Sequence, residues 1–148
     1  VVHRAAVADQ PVGPFRTVGG EVFSAEGNVF AAEDPFIWFD ERRGIFFGIV
    51  KDQDGDFTGA GRSLALFESA DGLDWSTSGN ALVTRNVIEW EEGQKTSVYR
   101  LERPQVLLVD GIPSVLFVSV LRSNEPESEA HNVHVPLKTP GLRRQTSE

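Results

Sequence analysis

The apolar positions of this chain fall into short runs separated by turn-forming residues. Phe36-Ile37-Trp38-Phe39 and residues 45–50 flank Asp40-Glu41-Arg42-Arg43-Gly44 and predict a β-hairpin. Both runs are almost continuously apolar, which predicts strands covered on both faces. A third strand is expected over Ser63–Ser69, before the tight-turn signal Asp71-Gly72. Residues 106–109, a turn at Asp110-Gly111 and residues 115–121 predict a second hairpin, with a closing strand over 131–137. Residues 1–7 read as a short strand, followed by a turn dense in Pro and Gly over 9–15. Gly19, Gly20 and Gly27 then mark a loop leading to Glu33. The polar stretch between Ser76 and Arg100 has no clear period. No segment sustains a helical period, so the expected class is all-β.

One pattern occurs twice. Glu33-Asp34-Pro35 opens the first hairpin and Glu102-Arg103-Pro104 the second, and the apolar runs end at Asp40 and Asp110. The two copies stand 69 residues apart. Common propeller repeats are roughly 40–50 residues long, so the first copy is expected to carry an insertion within 76–100. Proline biases the preceding residue toward extended backbone, which predicts Asp34 held rigidly at a strand entrance. In a propeller, equivalent entrances of successive blades converge on one axis. Two converging carboxylates are what glycoside hydrolysis uses, one as acid and the other as nucleophile or base. The competing assignment makes Glu33 and Glu102 structural, accepting backbone hydrogen bonds in a loop.

These residues resemble a known group. Asp9-Gln10-Pro11-Val12-Gly13-Pro14-Phe15, then Glu33-Asp34-Pro35 with its aromatic strand, then Ser69-Ala70-Asp71-Gly72-Leu73-Asp74-Trp75 follow in the order seen in five-bladed β-propeller glycosidases. That group comprises the arabinanases and β-xylosidases (glycoside hydrolase family 43) and relatives such as the neoagarobiose hydrolases (family 117). The likeness runs over most of positions 4–137. It implies a partial set of propeller blades, with units over 33–75 and 102–137, a closing strand of an earlier blade within 1–15 and a tail over 138–148. It also implies cleavage of a glycosidic bond in an oligo- or polysaccharide, and a secreted or periplasmic setting. Asp34 matches the aspartate that orients the acid and tunes it, and Glu102 matches the general-acid glutamate. The family usually has a small residue where Arg103 stands, and a cation there favours an ionised neighbour. In the neoagarobiose group the acid can be a histidine, and the histidines here are His3, His131 and His134. The family's base opens an earlier blade. The expected partner is therefore a missing N-terminal half or, through self-association, another copy. A non-catalytic carbohydrate-binding or scaffolding propeller is the alternative.

Composition narrows the partners. A net charge of −8 and a pI near 4.9 disfavour nucleic acid and anionic membranes. The chain has no cysteine, which removes disulfides and thiolate chemistry. The carboxylates of Asp52, Asp54 and Asp56 alternate as a calcium loop would, but Ser63 stands where a bidentate acid belongs, so a solvated turn is preferred over calcium. His131 and His134 would share a side only on a helix, which argues against zinc, and no cofactor is expected. Of the tryptophans, Trp38 is assigned to the core and Trp75 to the space between blades. Trp90, with Arg100 and Arg103, is assigned to substrate binding.

Overall fold

The structure is a computed structural model and describes residues 2–138. Every regular element among them is a β-strand: β1 (His3–Val7), β2 (Arg16–Val22), β3 (Ala32–Asp40), β4 (Ile45–Asp52), β5 (Ser63–Ser69), β6 (Ser76–Arg85), β7 (Val87–Glu89), β8 (Lys95–Ser97), β9 (Arg100–Val109), β10 (Ile112–Leu121) and β11 (Ala130–Pro136). They form antiparallel sheets in the orders β1-β2, β3-β4-β5-β6, β7-β8 and β9-β10-β11. The all-β class and both hairpins are as the sequence predicts.

The four-stranded sheet is a middle layer. Successive residues of a strand point to opposite faces, and β4 and β5 are apolar on both. Ile49 and Leu64 pack with Leu101, Val106, Leu116, Val118 and Val120 of the β9-β10-β11 sheet. Val50, Ala65 and Phe67 pack on the other side with Val22 and Phe23, at the end of β2. Val50, Leu64 and Val120 are fully buried, and each such side chain stabilises the fold by about 2 kcal/mol. Gly48 lies on the β2 side, where a Cβ would come within 3.1 Å of Trp75 and 3.2 Å of Phe23. Its bare backbone leaves room for those two rings, 5.0 Å apart between centroids.

Three expectations are corrected. Coverage on both faces holds for β4 but not for β3, whose Ile37 and Phe39 are 47% and 44% exposed, because β3 is an edge strand. The stretch around Gly19 and Gly20 is strand rather than loop. Pairing of β1 with β2 jumps from Arg4↔Glu21 to Ala5↔Val18, so the two glycines are absorbed in a bulge. The stretch 76–100 is not irregular either: β6 extends the middle sheet to Arg85, and β7 and β8 form a small hairpin. β6 is largely exposed, so no apolar alternation announces it.

Candidate functional site

Both copies of the repeated segment make the same backbone irregularity. Pairing slips between Glu33↔Lys51 and Phe36↔Ile49 in β3, and between Glu102↔Ser119 and Gln105↔Phe117 in β9. One extra residue bulges from each strand, and a proline, lacking an N–H, is tolerated there. Asp34 and Arg103 take up the extra residue with φ of +53° and +52°. The extended backbone expected for Asp34 is thus corrected. The bulge sets its conformation, at a cost of about 1–3 kcal/mol per non-glycine residue held there.

β3 and β9 lie against each other across the layer boundary, and their equivalent residues meet. Lys51, from β4, places Nζ 3.2 Å from Glu33 Oε2 and donates to Glu102 Oε1. Gln53 Nε2 donates to the same Glu33 oxygen. Two oxygens sharing one ammonium lie within about 6 Å of each other. The lysine side chain is 7% exposed, against 19% for Glu102 and 31% for Glu33, so the carboxylates reach solvent and the ammonium does not. Arg100 Nη1 stands 3.7 Å from Glu102 Oε1. Asp34 Oδ2 accepts the Arg103 backbone N–H at 3.2 Å. The side chains of Asp34 and Glu102 therefore stand at one junction, Asp34 held to the residue that follows Glu102. Arg103 reaches this junction through its backbone, and its side chain is exposed.

His3 closes the junction on the β1 side. Burial pushes its imidazole below the usual value, while the charges of Asp34 and Glu33 act in the opposite direction. Beyond Arg100 stands Tyr99, whose ring carries the Arg62 guanidinium at 5.2 Å and the Arg100 guanidinium at 5.4 Å from its centroid. The guanidiniums beside it, that of Arg62 foremost and that of Arg100 second, hold the Tyr99 phenol below its ordinary value. The Tyr99 backbone is fixed by its N–H to the Leu121 carbonyl at 2.9 Å and by Asn86 Nδ2 on its own carbonyl at 3.0 Å.

The remaining motifs are occupied by the fold. Buried Asp52 accepts the N–H groups of Gly55, Phe57 and Thr58 and the Thr58 hydroxyl, so it organises the following loop. Asn28 Nδ2 donates to Asp54 at 3.2 Å and Asp56 at 2.6 Å. His131 and His134 lie on opposite faces of β11, one half-buried and the other exposed. Trp90 stands after β7, donates from Nε1 to Thr96 Oγ1 at 2.8 Å and rests against the core. Trp38 packs on the same core and Trp75 on the β2 side.

A groove of about 600 Å³ opens at the opposite end of the sheets. Trp38, Phe47, Val106 and Leu116 line it, and it shares no residue with the carboxylate junction. A second cavity of about 480 Å³ lies among His3, Phe23, Asn28 and Ala32 and ends one residue short of Glu33.

Sequence reasoning missed Lys51, Gln53, Arg62 and Tyr99. Lys51 has a signal only if the bulge is known. The Asp40↔Ile45 pairing extended without a slip would set Glu33 against Asp52, and the bulge moves it to Lys51. No family model, curated protein or solved structure matches the chain.

Proposed function

We propose that this chain carries part of the cleavage site of a glycoside hydrolase, with the β3–β6 and β9–β11 sheets acting as successive blades of a propeller. The observation behind it is the convergence of Glu33 and Glu102, from two copies of one bulged strand entrance, on a single ammonium. Acid–base cleavage of an acetal needs two carboxyl groups open to solvent; Glu102 supplies one, and Glu33 holds it in place through their shared Lys51. Glu102 is the proton donor to the leaving oxygen, and in that role it is the carboxylic acid rather than the carboxylate that Lys51 and Arg100 engage. Asp34 is a positioning residue, acting through its hydrogen bond to the Arg103 amide. Lys51 and Arg100 fix the Glu102 carboxylate, and the base is supplied from outside the described residues.

The test is hydrolysis of a glycan panel by the complete protein and its Glu102→Gln variant. Loss of a general acid lowers the rate by about 10²–10⁴-fold. A variant that cleaves as fast as the parent removes Glu102 from the chemistry.

One observation favours a second function. Glu102 Oε1 is already engaged by Lys51 and Arg100, as befits a structural carboxylate in a propeller that binds carbohydrate without cutting it. Glycan binding without any hydrolysis would select that alternative.

A further inference from the structure

We infer that the Arg62–Tyr99–Arg100 cluster is a subsite for an oxyanion, a carboxylate or sulfate substituent carried by the glycan. That the anion is borne by a sugar rests on the function proposed above. The anion subsite itself rests on the cluster.

Two guanidiniums stand on one aromatic ring, at 5.2 and 5.4 Å from its centroid. Together they concentrate positive charge around one ring, which a negatively charged ligand would offset. Arg100 has Glu102 at 3.7 Å, but among the described residues no carboxylate stands within ion-pair distance of Arg62. The chain as a whole is acidic, at −8, so this local positive charge runs against its general field. An arginine fork matches a planar carboxylate or a sulfate face with two parallel hydrogen bonds. A stacked tyrosine keeps that fork from collapsing onto the surface.

The cluster is also built rather than incidental. Arg62 ends the loop that Asp52 organises, a loop further held by Arg85 Nη1 on the Ala60 carbonyl at 3.0 Å and by Thr58 Oγ1 2.8 Å from Ser63 Oγ. Tyr99 is fixed to the end of β10 by its backbone. Arg100 is shared with Glu102, so an anion seated here would lie one arginine away from the carboxylate junction. A neutral sugar brings no charge to offset the two guanidiniums.

Tyr99 is the one tyrosine of the sequence, which gives a direct readout. In the full chain labelled with ¹³C-tyrosine, the ring resonance is followed at neutral pH while sodium sulfate, glucuronate or glucose is added, with sodium chloride matching ionic strength. Sulfate, glucuronate or both should shift the resonance saturably, and glucose should not. The responding anion tells a sulfate ester from a uronate. Arg62→Gln should weaken the response by about tenfold, and Arg62→Lys, which keeps the charge without the fork, should fall between. A resonance that moves no more with either anion than with chloride overturns the inference. So does an Arg62→Gln protein that responds like the parent. No hydrolysis is measured, so an anion that binds where no glycan is cleaved counts only against the hydrolase proposal.

Discussion

Asp34 and Arg103, equivalent residues of the two repeated segments, are hydrogen-bonded to each other. The Asp34 carboxylate accepts the Arg103 backbone N–H at 3.2 Å, and the two residues share a left-handed φ of +53° and +52°. The bond fastens the edge of one sheet to the edge of the next at the point where both strands bulge. Because the donor is a backbone amide, the two side chains are not equally important to it.

That asymmetry is testable. Asp34→Ala should cost about 1–2 kcal/mol by losing the acceptor. Arg103→Ala keeps the amide and should stay within about 0.5 kcal/mol of the parent. Urea melts of both variants check this, and equal losses would contradict the assigned bond.

Lys51→Met should be among the most damaging single changes at the junction. It leaves the Glu33 and Glu102 carboxylates side by side around an empty centre, and breaking a buried ion pair by removing one partner costs about 3–5 kcal/mol. Adding Glu33→Gln and Glu102→Gln to Lys51→Met should restore much of that. Denaturant midpoints of the single and triple variants measure both effects.

Gly48→Ala should destabilise by about 1–3 kcal/mol through overpacking. The new methyl meets Trp75 and Phe23 at 3.1 and 3.2 Å, and both rings belong to the buried β2-side cluster. Near-ultraviolet circular dichroism should change with the melt, because the disturbed neighbours are aromatic.

The turn after β5 should weaken in acid. Asp71 accepts the N–H groups of Asp74 at 2.9 Å and Leu73 at 2.8 Å and the Ser69 hydroxyl at 3.0 Å. These bonds, with the Asp74 amide foremost, hold its carboxyl below the usual carboxylate value. A depressed acid contributes stability above its unfolded value and loses it as pH falls through the folded one. The melting temperature of Asp71→Ala should therefore lie below the parent's at neutral pH and approach it at low pH. A gap that does not change with pH would contradict the assignment.

His3 works in the opposite direction. Burial holds it below the ordinary histidine value, so the unfolded chain binds the extra proton first and stability falls as pH drops below about 6.5. Its NMR titration midpoint should lie under that value. Glu33→Gln should lower the midpoint further, because Glu33 favours the charged ring. A midpoint that rises in this variant would remove His3 from the junction.

Much of the fold was legible from sequence because β4, β5 and β10 are interior strands whose apolar runs are long. β2 and β6 were not, since a glycine bulge hides one and exposure the other. The repeated acid–x–Pro segment led to the junction where β3 meets β9 but suggested pairing Asp34 with Glu102. The structure gives Glu102 its own repeat equivalent, Glu33, as partner on Lys51. A bulge slips the register by one residue and thereby changes which side chains face each other, and hydrophobic patterning carries no mark of it. Arg62 and Tyr99 were invisible for another reason: they are far apart in sequence, one just before β5 and the other just before β9, and meet only in the folded chain.

The middle position of the β3–β6 sheet also sets how the molecule opens. β4 has a hydrogen-bonded neighbour on each edge and packed side chains on each face. Its amide protons meet solvent only when β4 separates from β3 and β5, which its packing on both faces opposes. Deuterium exchange at Ile49 and Val50 should therefore track complete unfolding, whereas amides of the edge strands β6 and β11 exchange through local fraying. Between those limits lies β3, an edge strand tied to β9 by Lys51 and Asp34. Its exchange rate reports how often the carboxylate junction comes apart while the rest of the protein stays folded.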